Sequence, residues 1–299
     1  MARTSTGLTF PAKVGVWWNS EPWPIREAQD IAREIEAMGF GSLFMPEGGG
    51  KDALIESAAF LAATDRLVVG TGIANIHFRI PVPAETGART LAALHPGRFV
   101  LGLGVSHAPY VENALRGAYS KPLATMRTYL ERMNEVPDEV EAGAKATRLL
   151  AALGPKMIEL SGELADGAHP YLVTPEQTKN TREILGPDAW VVPEQAVAIG
   201  GDAEDQLRRA HHHLDPYSRL KNYQNSWLRQ GFDESDIVVG GSERLARALV
   251  GMGSAEDAAA SLTAHLDAGA DHVVVQIVGD GASSDPRPAL RALASALSL

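Results

Sequence analysis

The chain has 299 residues, of which 45% are hydrophobic and 21% charged, and 27 basic against 37 acidic side chains give a net charge of −10. That length suits one (β/α)8 barrel, typically about 250 residues, or two smaller domains, and the acidic balance argues against non-specific nucleic-acid binding, which needs clustered cations. Having no cysteine, the chain has no disulfide, no thiolate nucleophile and no cysteine-held metal.

The start, MARTSTGLTFPAKVGVWW, has no basic region followed by an apolar run, so no signal peptide is expected. No apolar stretch approaches the roughly 20 residues that span a bilayer, and a cytoplasmic enzyme is the default expectation.

Strand-like and helix-like segments alternate along the chain. Lys13–Trp18 reads as a first strand, and Pro24 opens a helix with Ile31, Ile35 and Met38 on one face and Gly39 as its cap. Ser42–Glu47 reads as the second strand, and Asp52 can cap a helix carrying Ile55, Ala59 and Ala62. Leu67–Ala74 is the third strand, Pro83–Leu94 a helix and Arg98–Leu103 the fourth strand. Later strands are expected at Thr147–Leu153, Ala168–Val173, Trp190–Ile199 and His272–Val278. Helices are expected at Thr125–Glu135, Lys156–Ala165, Glu176–Leu185, His211–Gly231, Glu243–Val250, Ala255–Asp267 and Arg287–Leu297.

Runs such as LVVGTGI and HVVVQIV do not alternate, as expected of parallel strands buried on both faces. Eight strands, each followed by helix, with no low-complexity linker, favour one α/β domain over residues 1–299 built as a single (β/α)8 TIM barrel. An open doubly wound sheet is the other arrangement, because strand order is not readable from sequence.

In such a barrel, ligands gather at the C-terminal ends of the strands. Glu47 ends the second strand before Gly48-Gly49-Gly50, where a carboxylate at a strand mouth can act as a general acid or base. Gly72-Ile73-Ala74-Asn75 ends the third strand, and a glycine inside a strand pattern signals a bulge or a close backbone approach. Gly104-Val105-Ser106-His107 ends the fourth with exposed N–H groups and a hydroxyl. Leu153-Gly154 enters a helix at Lys156, where a bare N-terminus attracts anions, and His169 lies at the sixth strand. The run His211-His212-His213 is read as a solvated helix face, because neighbours at i, i+1 and i+2 point in different directions. No metal is proposed, and the absence of a G-x-S-x-G elbow argues against a serine hydrolase.

The segments LVVGTGIANI, RFVLGLGVSH, NYQNSWLRQGF and AGADHVVVQ, in this order, resemble the luciferase-like superfamily of barrel oxidoreductases, specifically its branch using the deazaflavin coenzyme F420. The resemblance implies a bacterial-luciferase-like barrel, usually a homodimer packed through its early helices. It further implies a cis peptide at Gly72–Ile73 against the cofactor ring, and a cofactor site formed by Gly72, Ile73, Asn75, Gly104, Val105, Ser106, Leu153, Gly154 and His169. The chain departs from branches that carry a histidine after the second strand and a glutamate after the fourth; here these are Glu47 and Ser106-His107. The expected activity is hydride transfer between the deazaflavin C5 and a small organic substrate, with Glu47 or His107 handling the proton. The alternatives are an FMN-dependent monooxygenase and a non-catalytic flavin-binding barrel. The partner expected is a small molecule, with neither nucleic acid nor membrane.

Overall fold

The structure, a computed structural model, describes residues 6–281 and 283–299. In chain order come β1 (Val14–Trp17), α1 (Ile25–Ala37), β2 (Ser42–Met45), α2 (Ala53–Ala63), β3 (Val68–Thr71), β4 (Ala74–Asn75), α3 (Pro81–Leu94) and β5 (Phe99–Gly104). A π-helical turn at Tyr110–Ala114 precedes α4 (Pro122–Asn134), β6 (Thr147–Leu150), α5 (Pro155–Leu164), β7 (Gly167–Ala168) and α6 (Pro175–Leu185). Then follow β8 (Trp190–Val191), β9 (Glu194–Ile199), α7 (Ala203–Ser218), α8 (Lys221–Arg229), α9 (Glu243–Leu249), β10 (Val250–Gly253), α10 (Ala255–Asp267), β11 (Val273–Ile277) and α11 (Arg287–Ala296).

The strands form one curled, parallel sheet in the order β10-β9-β11-β1-β2-β3-β5-β6-β7-β8, with β4 also on β5. Alternation along each strand sorts its side chains into two layers. Leu43, Met45, Val69, Leu101, Val273 and Val275 pack with the helices in the larger core. Their neighbours Phe44, Val68, Val100 and Val274 form a separate cluster with Leu149 and Val192 inside the curl. Both faces are therefore buried, which is why these strands read as unbroken apolar runs. The segment before β1 covers the end where the strands begin. Leu8 joins the inner cluster, and Phe10 stacks on His272 with ring centroids 3.9 Å apart.

Local chemistry sets the boundaries. Asp52 caps α2 by accepting from the N–H groups of Leu54 and Ile55 at 2.9 and 3.0 Å, as its position predicts. Gly39, just past α1, takes a φ of +93°. The expected sixth strand, Ala168–Val173, shrinks to Gly167–Ala168, because Pro170 cannot donate to a ladder and Leu172 turns away at φ +52°. The fifth ends at Leu150 instead of Leu153. The single helix expected over His211–Gly231 is two: α7 starts earlier, where Asp202 accepts from Asp205 N, and extended backbone at Leu220 separates it from α8. Val250 was expected to end a helix; it instead opens β10, which pairs with the upper half of β9. Among the described residues no helix is long and apolar enough to cross a membrane.

Candidate functional site

A cavity of about 460 Å³ opens where β2, β4, β5, β6 and β7 end. Its floor is the junction between β3 and β4, where the Gly72–Ile73 peptide is cis. Three hydrogen bonds hold that junction. Gly72 N–H donates to Met45 O at 2.7 Å, Glu47 N–H donates to Ile73 O at 3.2 Å, and Trp17 Nε1–H donates to Gly72 O at 2.7 Å. Position 72 must be glycine, since a Cβ there would lie 2.7 Å from Trp17 Nε1 and 3.0 Å from His169 Nε2. Across the floor, a Cβ on Gly104 would lie 2.5 Å from Ile73 Cγ1, so the bare backbone of Gly104 makes the cradle in which the Ile73 side chain rests.

Every residue singled out from the sequence lines this one cavity: Glu47 from β2, Gly72, Ile73 and Asn75 from the β3–β4 junction, Gly104 to His107 from β5, Leu153 and Gly154 before α5, and His169 after β7. Their states differ. Glu47 is 8% exposed. Its Oε1 accepts from Ala53 N–H at 3.1 Å and from Arg79 Nη2, while its Oε2 accepts from Asn75 N–H and Arg79 Nη1, each at 2.8 Å. Four donors occupy the carboxylate's lone-pair directions. Glu47 was expected to serve as acid or base; in the structure these four bonds tie β2, α2 and β4 together.

The His107 imidazole is held neutral, burial pushing its pKa down against the opposing hydrogen bond from the Asn222 side chain. Its Nδ1 is buried without a partner. His169 is 1% exposed, and its Nδ1 lies 2.6 Å from Val192 O. A carbonyl only accepts, so Nδ1 carries the proton and Nε2 is left as a buried acceptor with no partner. Burial lowers the pKa of His169 to about 4, so the ring stays neutral. Asn75 Oδ1 accepts from His77 N–H at 3.0 Å. Ser106 sits at φ +59°, and its carbonyl accepts from Tyr119 OH at 3.3 Å. Gly154 is the N-cap of α5 with no side-chain cap, and Arg229 donates to the adjacent Leu153 O at 3.1 Å.

Sequence reasoning missed the cavity's remaining wall. Tyr171, Tyr217 and Tyr223 line it together with Trp17. Tyr171 OH donates to Gln276 Oε1 at 2.7 Å and lies 3.1 Å from Tyr217 OH, and the rings of Tyr217 and Tyr223 meet edge-on at 4.9 Å. Beside them Glu194, 1% exposed, accepts from Leu172 N–H at 3.2 Å through Oε2, while Oε1 has no partner. Burial raises its pKa to about 8, which keeps it protonated at neutral pH. The tyrosines come from the β7 exit, α7 and α8, segments with no shared motif. Trp17 also holds the floor through its indole N–H. Trp227, on α8 with Tyr223, is fully buried in a core cluster. Of the three consecutive histidines, His211 binds Gly240 O, His212 is exposed and His213 packs near Tyr171 and Tyr217, so they diverge as helix geometry requires.

A cavity at strand ends with a backbone floor and an aromatic wall, on a curled parallel sheet, defines the class: an α/β protein with its candidate site at the C-terminal ends of its strands. The chain belongs to the luciferase-like monooxygenase family, whose profile matches residues 4–272. It is 30% identical over 210 residues to a putative coenzyme F420-dependent oxidoreductase of Mycobacterium tuberculosis, covering 60% of this chain and 60% of that protein. It is 33% identical over 112 residues to an F420-dependent glucose-6-phosphate dehydrogenase of Microbacterium testaceum, covering 34% of this chain and 33% of the relative. The matched stretches thus span less than two thirds of these relatives. Among solved structures, an F420-dependent secondary alcohol dehydrogenase in complex with an F420-acetone adduct shares the fold, with a TM-score of 0.75 over 95% of this chain and 98% of its own at 15% identity. An EDTA monooxygenase from Chelativorans sp. BNC1 also shares it, with a TM-score of 0.72 over 95% of this chain and 93% of its own at 11% identity.

Proposed function

We propose that this chain is a coenzyme F420-dependent oxidoreductase, the bound deazaflavin supplying a hydride donor or acceptor at C5 for a small organic substrate. The observation that carries the reading is the cavity floor: the Ile73 side chain seated on the bare backbone of Gly104, and beside it the Nε2 of His169 without a partner among the described residues, fit a flat ring with hydrogen-bonding edges. Gly72, Ile73 and Gly104 would meet the ring. Asn75, Val105, Ser106 and His169 would border it. Leu153 and Gly154, at the bare start of α5 beside Arg229, would hold an anionic tail. The role of holding or passing a proton goes to His107 at its unpartnered Nδ1, because Glu47 is occupied by Arg79. The cofactor carries the redox chemistry, and the protein's task is to orient and to exclude water.

We further infer that the curled sheet is a closed (β/α)8 barrel forming one domain. β8, at one end of the strand path, and β9, next to the other end, are consecutive in the chain, split only at Val192-Pro193. Val192 N–H donates to Ala168 O on one side, and Val274 N–H donates to Pro193 O on the other, both at 3.0 Å.

Titration with F420 and with FMN, followed by tryptophan quenching, tests the cofactor. Micromolar F420 binding with weak FMN binding is expected, and the reverse order overturns the reading in favour of an FMN-dependent enzyme. Gly104→Val pushes the Ile73 side chain out of its cradle and into the cavity, and is expected to weaken F420 binding at least about tenfold, or about 1.4 kcal/mol. An unchanged affinity in that variant would take the ring away from this floor.

The reading includes a homodimer. Ile55, Ile80, Val82 and Leu94 on α2 and α3 are 73%, 69%, 48% and 66% exposed, more apolar surface than one pair of helices usually shows to water. Light scattering should give a dimer for the wild type and a monomer for the Ile55→Glu, Val82→Glu double variant; a monomeric wild type removes the dimer.

A further inference from the structure

A second cavity, of about 300 Å³, lies where β1 and β11 end against α7, and it meets the first cavity at Trp17 and Tyr217. We infer that this second cavity is a binding chamber for a small, uncharged molecule carrying a carbonyl or hydroxyl oxygen. Its role as the substrate chamber rests on the redox reading above; the binding itself does not.

The polar groups of the chamber set the pattern it accepts. Trp18, 6% exposed, is one of the lining residues, and its buried indole N–H has no acceptor among the described residues. A buried donor left unpaired costs about 1–3 kcal/mol, so an oxygen brought to it recovers a bond the fold leaves unmade. On the β11 side, Gln276 spends its Oε1 on Tyr171 OH at 2.7 Å, and its NH2 carries the remaining donors. Because the Tyr171 proton is committed to Gln276, the 3.1 Å contact between the two hydroxyls has Tyr217 as donor. The Tyr217 oxygen then keeps lone pairs, and this residue lines both cavities. From α7, His213 adds a buried Nε2 with no partner. The chamber therefore offers N–H donors on one side and an acceptor oxygen at the shared wall, which matches an oxygen that both accepts and donates, or one that only accepts.

Charge narrows the class. Among the described lining residues there is no lysine or arginine, and the one carboxylate, Asp285, is engaged by Arg287 at 2.8 Å. A phosphate or carboxylate entering here would shed its water with no cation to receive it, a cost that excludes anionic substrates. The volume, at the small end of ligand pockets, limits the occupant to a compact molecule.

The test uses the cofactor-free protein with cyclohexanone as the neutral probe and phenyl phosphate as the anionic one. In a nitrogen–proton correlation spectrum the indole signal lost in Trp18→Phe identifies Trp18. Cyclohexanone is expected to shift that signal saturably, and phenyl phosphate to bind at least tenfold more weakly. Trp18→Phe should weaken cyclohexanone binding at least tenfold by saturation-transfer measurement. Should Trp18→Phe fail to fold, His213→Phe, which keeps the aromatic bulk and removes the nitrogen, is expected to weaken it as well. An unmoved Trp18 signal, or phenyl phosphate binding as well as the ketone, overturns the proposal. F420 affinity measured on the same sample separates the two readings: ketone binding without F420 binding sinks the redox reading alone, and the opposite result sinks the chamber alone.

Discussion

Acidification from pH 7 to 4.5 is expected to lower the melting temperature by about 10 °C or more. Three histidines buried in their neutral form cause this. His169 is 1% exposed, and His265 and His272 are 0% exposed. Burial lowers the pKa of His169 and His265 to about 4 and that of His272 to about 3. Their neighbours suit a neutral ring. His265 sits 2.7 Å from both Thr178 Oγ1 and Gln195 Oε1, and His272 bridges Ser42 Oγ and Ala12 O at 2.7 and 3.0 Å. An unfolded histidine takes up its proton near pH 6.5. Above that value the contribution to stability is fully present; it is lost progressively as the pH falls towards 4, since only the unfolded chain gains protons in that window. Each ring accounts for up to about 3 kcal/mol, and three together rival the whole stability of an ordinary domain, about 5–15 kcal/mol. Glu194 works in the opposite direction. Its pKa is raised to about 8, so its contribution is present below pH 4.5 and fades as the pH rises through 8, placing the stability maximum near neutrality. Calorimetry from pH 8 to pH 4 checks this, and a melting temperature flat between pH 6.5 and 4.5 would show that the three rings charge without penalty.

Arg79→Ala is expected to cost about 3–5 kcal/mol, the usual price of leaving a buried charge without its partner. The Glu47 side chain is 2% exposed and that of Arg79 is 11% exposed. With Arg79 gone, the carboxylate keeps only the Ala53 and Asn75 N–H groups, and α2 loses the Arg79 bond to Asp52 at 3.2 Å. The same arginine fixes α4 through its carbonyl, which accepts from Tyr129 OH at 3.0 Å. Arg79→Lys should recover little of the loss, because one ammonium cannot reproduce a two-pronged guanidinium contact. Glu47→Gln gives the complementary readout. If Glu47 positions the floor, that variant loses thermal stability and F420 affinity together. Full stability and affinity with abolished turnover would restore the acid–base role to this residue.

Much of the strand framework was legible, because parallel strands buried on both faces announce themselves as apolar runs. The hidden parts have local causes. β3 and β4 read as one strand, since the run stays apolar throughout, and only Gly72 marks the place where the ladder breaks. β10 was invisible because Val250 looks like a helix end; VGMG instead pairs in parallel with Ala196–Ile199 of β9. The site residues at strand ends could be named from position. What they do could not: Glu47 has the look of a catalytic carboxylate until its partner, 32 positions further along the chain, comes into view. Tyr171, Tyr217 and Tyr223 converge only once α7 and α8 have folded over the mouth, and no spacing in the sequence encodes that meeting.

Leu8 and Phe10 seal the sheet at the end opposite both cavities. That end is thereby closed off. A molecule resting on the floor at Gly72–Ile73 thus has packed side chains beneath it and can be reached only from the side where the strands finish.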